Sequence, residues 1–454
     1  MSKEIIPSRV DDQLFYERLL KLALPAGIQS LMLALVAAAD ALMLGRISQD
    51  QMTAVSQATQ IQFILNMFMM ATAGAGTILG AQYFGKNDRR TLEDLFNLML
   101  KLSGLISLLF FAACEFAPGL LMCIFTSDPD LIRIGSVYLR IAGWSYPLCS
   151  FSECYLTMMK VTDHVAPSAW ISSFAVISNI ILNAVFIFGL LGMPRMDAGG
   201  AALATTIARI LEFILCLFVS GRGHYTRPAW DRFLKWDRLL VKDFMRQSFP
   251  LLAGSLLWGV GFTSYTAILG HMGSDAAAAN AVSAIVRDLI CCVANGIGSA
   301  AAIIVGNALG AGHLNDGKAY GIKLKNISWV IGLGSTAFVL IIVPLTVRMV
   351  VLSDAAHGYL TGMMIIMAFY MIGRCVNTVT INGVLDAGGD TLFDMYSLAV
   401  CMWCIAIPLA LLGAFVFHWP VLCVYACTCL DEVGKIPWVM LHFRKYIWVK
   451  DLTR

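Results

Sequence analysis

The chain has 454 residues, of which 59% are hydrophobic and 13% charged, against roughly 45–50% and 25% in an ordinary soluble domain. Runs of about 20 mostly apolar residues, the length that crosses a hydrocarbon core, recur from end to end. This excludes a soluble globular protein and defines an all-α integral membrane protein. The net charge of +3 makes no case for nucleic acid.

In chain order, hydropathy predicts twelve transmembrane helices. Six lie at 19–45, 54–81, 93–117, 131–158, 166–192 and 199–220. A polar linker, GRGHYTRPAWDRFLKWDRLLVKD at 221–243, follows. Six more lie at 244–270, 276–308, 320–345, 356–385, 392–417 and 419–443. The expected organisation is an N-terminal lobe (1–220), a linker (221–243) and a C-terminal lobe (244–454). Residues 1–18 are polar, with no apolar core ending in a cleavage site, so no removable signal peptide is expected.

The halves are related. At a constant offset and without gaps, Pro25 falls on Pro250, Ser30 on Ser255, Leu31 on Leu256, Gly45 on Gly270, Asp50 on Asp275, Ala54 on Ala279, Ile78 on Ile303 and Gly85 on Gly310, with Gln82 on Asn307. Such a series is an internal duplication. Six spans per half leave both halves in the same orientation, a parallel repeat of the kind that places a central site between two six-helix lobes. With the N-terminus inside, 24 of the 32 Lys and Arg residues fall on the inner side, five outside and three within spans. The expected topology is therefore a multi-pass protein of the inner (plasma) membrane with both termini and the linker cytoplasmic.

Ionisable and amide groups within spans are the candidate functional residues, because burying them in hydrocarbon is costly. Asp40 lies in the outer half of the first span; its counterpart in the second half is Tyr265. Asn179 and Asn183 are four apart in the fifth span and share a face. Interhelical hydrogen bonding and a polar pocket both suit them. Thr205 begins the sixth span at matching depth. Arg209 and Glu212 are expected to pair, and Glu153 lies near water. In the second half, Arg287 and Asp288 are adjacent, so they are expected to diverge on the helix and either take separate partners or line water. With Arg374, Asn377 and Asn382 they form a second tier of polar candidates.

Other chemistries find no support in the pattern. GAQYFGKN (80–87) resembles a phosphate-binding loop but ends in Asn where Ser or Thr would reach magnesium, and it closes an apolar helix. The seven histidines form no zinc-like or triad-like cluster. The thirteen cysteines sit mostly in apolar helices, where reduced packing is expected. An enzyme is not expected, nor is a resident cofactor.

The chain resembles the multidrug and toxic compound extrusion (MATE) family. The resemblance rests on Pro25, Asp40 and Gly45 in the first span, Gln82-Tyr83-Phe84-Gly85-Lys86-Asn87 closing the second, Asn179 with Phe188-Gly189, Gly199-Gly200-Ala201-Ala202-Leu203-Ala204-Thr205, and Leu385-Asp386-Ala387-Gly388-Gly389-Asp390-Thr391. It covers nearly the whole chain.

This resemblance implies secondary active efflux: amphipathic, often cationic, small organic substrates leave in exchange for Na+ or H+ by rocker-switch alternating access. One bacterial branch couples through an Asp in the first helix, an Asn and an Asp in the fifth and a Thr in the sixth. Carried over, these are Asp40, Asn179, Asn183 and Thr205, which would also hold Na+, with Pro25 as the bending point of the first helix. Asn183 departs from that pattern, where the branch has a second carboxylate. Another branch uses acids in the seventh and tenth helices; here the seventh has none and the tenth ends in Asp386. A lipid-linked saccharide or polysaccharide flippase of the same superfamily is the alternative function. A monomer in the lipid bilayer, without nucleic acid, is expected.

Overall fold

The computed structural model describes residues 12–44, 49–223, 225–350 and 352–453, with the backbone alone for 37–42, 44 and 49. Every regular element among them is helical. The first half holds α1 (Asp12–Leu44), α2 (Gln49–Gly85), α3 (Arg89–Phe116), α4 (Pro118–Cys123), α5 (Pro129–Gly143), α6 (Ser145–Val161), α7 (Val165–Phe188) and α8 (Asp197–Arg222). The second holds α9 (Arg238–His271), α10 (Ser274–Gly310), α11 (Leu314–Met349), α12 (Asp354–Asn377), α13 (Thr391–Leu398), α14 (Ile407–Leu411), α15 (Val421–Thr428), α16 (Leu430–Val433) and α17 (Ile436–Phe443). Wider π-type turns carry α12 on to Leu385 and join α13 to α14.

Ten of the spans are continuous apolar helices. The fourth and the twelfth are not the single helices that hydropathy predicts, and proline accounts for one interruption in each. Pro147 has no N–H for the carbonyl of Gly143, and the fourth span breaks there into α5 and α6. Pro437 does the same to Val433, where α16 ends and α17 begins three residues later. Pro25 and Pro250 stand inside α1 and α9 instead, which continue through them. All thirteen cysteines are free thiols.

The chain forms two compact units. One contains Ile28–Gly80 and Asp88–Ser248. Its core packs Leu65 and Met69 of α2, Cys114 of α3, Tyr138, Leu139 and Tyr146 of α5 and α6, and Ile187 and Ala202 of α7 and α8. Asp88 caps α3 by accepting from the Thr91 N–H at 3.1 Å, and Asp128 caps α5. α7 ends at Gly189, whose φ of +70° is the left-handed stop that glycine adopts without strain. The linker is not loose. Asn97 of α3 donates to the Ala229 carbonyl at 2.9 Å, Lys101 donates to the Lys235 carbonyl at 2.7 Å, and Arg232 pairs with Glu93 at 2.7 Å and Asp94 at 3.1 Å.

The other unit contains the described residues of 1–27, 81–87 and 249–454. Its core is rich in adaptable methionine: Met363, Met364, Met367 and Met371 of α12 are fully buried against α10 and α11. Here the end of α2 crosses the end of α10 at very short range. A Cβ on Gly85 would collide with the Asn307 carbonyl, and one on Gly310 with the Gln82 carbonyl. Gln82, fully buried, donates to the Ala387 carbonyl at 2.7 Å and accepts from the Leu452 N–H at 2.6 Å. The C-terminal tail thus docks beneath this unit, with Trp448 fully buried.

Candidate functional site

The N-terminal candidates form a connected chain. α7 and α8 meet closely because Gly200 lies against the Phe186 carbonyl, where a Cβ would come within 2.8 Å. The N–H of Met196 also bonds that carbonyl at 3.0 Å. This contact brings Thr205 to Asn179, whose Nδ2 donates to Thr205 Oγ1 at 3.2 Å; Asn183 Nδ2 in turn donates to Asn179 Oδ1 at 3.2 Å. Asn179 and Asn183 are 7% and 1% exposed. The four-residue spacing therefore produces a buried ladder of amides and a hydroxyl, whose oxygens suit a hard cation or a relay of hydrogen bonds. The side chain of Asp40, the carboxylate expected to complete this set, lies outside the described residues. Pro25 is inside α1.

The expected Arg209–Glu212 pairing and a second ion pair, at Glu153, appear in the same unit. Arg209 Nη1 bonds Glu212 Oε2 at 2.7 Å, with the Glu212 side chain 3% exposed. Glu153 lies 3.8 Å from Lys160, one side chain half-buried and the other at the surface.

In the other unit the second-tier residues divide. Arg287 and Asp288 do not take separate partners: Arg287 bends back so that Nη2 bonds Asp288 Oδ1 at 2.8 Å and Nε at 2.9 Å. A long, flexible side chain spans what the helix angle separates. The guanidinium also lies 4.3 Å from the centre of the Phe262 ring, a cation–π contact. Asn382 is exposed and does not join Arg374 and Asn377. Those two converge on Glu432. Arg374 Nη1 bonds Glu432 Oε1 at 2.8 Å, and Asn377 Nδ2 donates to Oε2 at 2.7 Å and to the Glu432 carbonyl at 2.9 Å. Lys435 Nζ stands 3.8 Å from the same carboxylate.

Glu432, Asp431 and Lys435 were not among the sequence candidates. The signal was present as CLDEVGK inside the twelfth span, three ionisable groups at membrane depth. Asp431 is 5% exposed and its Oδ1 has no hydrogen-bond partner among the described residues. Tyr265 Oη, likewise buried, lies beside it. Both border a small cavity of about 30 Å³ walled by Phe262, Tyr370 and Tyr425, with Arg287 at its edge. Tyr265 and Arg287 thus face one space, while Arg374 and Asn377 serve the Glu432 cluster and Asp288 is mostly exposed.

Comparison with known proteins gives a consistent result. The MatE family model matches the chain twice, over residues 25–185 and 250–412. The two matches begin on the two repeat prolines. A probable multidrug resistance protein NorM of Bradyrhizobium diazoefficiens is 26% identical over 415 residues, covering 87% of this chain and 86% of its own. An uncharacterized transporter, YisQ of Bacillus subtilis, is 22% identical over 416 residues, covering 91% and 90%. Among solved structures, a variant of the Vibrio cholerae MATE transporter VcmN superposes with a TM-score of 0.84 at 15% identity, covering 97% of this chain and 98% of that one. This last likeness concerns the fold.

Proposed function

The chain belongs to the MATE family of membrane transporters, and on that premise we propose that it exports amphipathic, often cationic, organic compounds in exchange for Na+ or H+, coupled through Asp40. It works in the plasma membrane with both termini and the linker cytoplasmic. The relatives named for multidrug resistance support the substrate class.

One observation carries the site assignment. Gln29 of α1 donates from Nε2 to Ser172 Oγ of α7 at 2.8 Å, within one unit. The first and fifth spans run in the same direction. Eleven residues further along each helix, about 16 Å at an α-helical rise, lie residue 40 and Asn183. The backbone of α1 at Asp40 is therefore level with the ladder of Asn183, Asn179 and Thr205. A carboxylate at that level gives the three neutral oxygens the one negative charge that a monovalent cation needs, and it is equally a proton acceptor.

In this reading the coupling ion favours one state of the first span and substrate the other. An ion with equal affinity for both states would drive nothing. Pro25, which leaves the Lys21 carbonyl without its helical donor, is the weak point at which α1 bends between states.

The test is dye movement in proteoliposomes under an imposed Na+ gradient and, separately, an imposed pH gradient, for the parent and for Asp40→Asn. Movement under one gradient that vanishes in the variant is expected and identifies the ion. Movement that survives the substitution removes Asp40 from coupling.

A further inference from the structure

The linker surface is built in a way that export does not use. Its backbone is pinned to α3 by Asn97, Lys101 and Arg232, yet its large apolar side chains point away from the protein. Trp230, Leu234, Trp236 and Leu239 are 69%, 88%, 57% and 55% exposed. Exposed tryptophan beside Lys and Arg, at the polar ends of two spans, is the chemistry of the membrane interface. The ring of Trp236 is fixed by Lys101, whose Nζ lies 4.5 Å from its centre.

The acids of this segment are engaged by the protein's own groups, although Asp231 and Asp237 are exposed. Glu93 and Asp94 hold Arg232, Asp231 lies 3.5 Å from the same guanidinium, and Asp237 caps α9 by accepting from the Leu239 N–H at 2.8 Å. Asp243 is half-buried. The cations face outward: Arg90, Lys235, Arg238, Lys242 and Arg246 are all exposed. Arg238, Lys242 and Arg246 follow one another at four-residue steps, hence on one stripe of α9. Beside this stripe opens a cavity of about 240 Å³ bordered by Arg90, Lys101, Arg232, Lys235 and Trp236, with Asp94 and Asp237 also on its wall, so that cations outnumber carboxylates four to two.

We propose that this surface is a binding site for an anionic phospholipid. The headgroup phosphate sits among Arg90, Lys235 and the α9 stripe, and the glycerol and upper acyl chains lie against Trp236 and Leu234. The charge is complementary to an acidic leaflet, and the apolar side chains are what a free anion would leave unused. Only the identity of the leaflet, the cytoplasmic one, rests on the orientation proposed above.

The experiment is native mass spectrometry of the full-length protein in detergent, with phosphatidylglycerol or phosphatidylcholine added. It needs no gradient and no substrate, so its outcome is independent of the export assay. Phosphatidylglycerol is expected to be retained over phosphatidylcholine, and Arg238→Gln/Lys242→Gln/Arg246→Gln to lose that preference by about tenfold or more, since each interfacial cation contributes several-fold. If that variant loses its cooperative thermal transition, Arg90→Gln/Lys235→Gln provides the same comparison. Equal retention of the two lipids, or undiminished preference in the variants, overturns the proposal. So does displacement of phosphatidylglycerol by millimolar inorganic phosphate, which would make the site one for a free anion.

Discussion

Removing the charge of Glu432 would leave the Arg374 guanidinium and the buried Lys435 amine without their shared counter-ion. Breaking a buried pair from one side costs about 3–5 kcal/mol, whereas replacing both partners by apolar groups of similar size is often neutral. Glu432→Gln is therefore expected to lower the thermal midpoint in detergent by several degrees, and Arg374→Met added to it to recover part of the loss. A single variant as stable as the parent would mean that the cluster is not structural. Side chains such as Asn179 and Thr205 were legible in the sequence because amides and hydroxyls stand out in an apolar helix and their spacing fixes their face. Glu432 was not, because hydropathy marks CLDEVGK only as part of the span at 419–443 and says nothing of which groups meet its charges. Only the fold, with Asn377 and Arg374 converging from α12, shows those charges as buried and compensated.

At the scale of elements, the hydropathy pattern located all the spans but not their interruptions. Hydropathy records how apolar a segment is, whereas a break depends on which carbonyl has lost its donor, as at Gly143 and Val433. The crossing of α2 and α10 likewise depends on what glycine lacks. Ala81 and Gly85 on one helix and Gly306 and Gly310 on the other are small residues at four-residue spacing, the arrangement that lets helix backbones approach in a membrane. Gly85→Val and Gly310→Val should each abolish monodisperse protein in size-exclusion chromatography, since the added atoms would meet backbone and not a movable side chain. Gly334→Ala, where a Cβ meets nothing within 4 Å, is the matched control. It should be neutral or gain up to about 1 kcal/mol from helix propensity.

Across the whole molecule, Lys and Arg give a distribution that any single loop would leave ambiguous. The central linker and the C-terminal segment hold more Lys and Arg than Asp and Glu, and the linker's exposed tryptophans fit the headgroup layer proposed for it. With exposed native cysteines such as Cys123, Cys404 and Cys423 replaced by serine, a cysteine at Lys235 should react with a membrane-impermeant maleimide in inside-out vesicles and stay unlabelled in intact cells. Labelling in intact cells would invert the proposed topology. The duplication of the chain was readable from sequence because identities at one offset accumulate. Which repeat positions touch was not, because an offset relates positions without placing them in space.

The glycine crossing has a further implication. Gly85 meets Asn307 while Gly310 meets Gln82, and Gly310 and Asn307 are the repeat counterparts of Gly85 and Gln82. One contact is thus made twice with the roles exchanged, the signature of an isologous interface between identical subunits. A polypeptide of half this length could have made that contact with a second copy of itself before the two genes were joined. The present chain thus holds within itself the reciprocal contact that two copies of a half-length chain would make, while Asp40 and Tyr265, at equivalent positions, show that its two repeats are no longer held to the same chemistry.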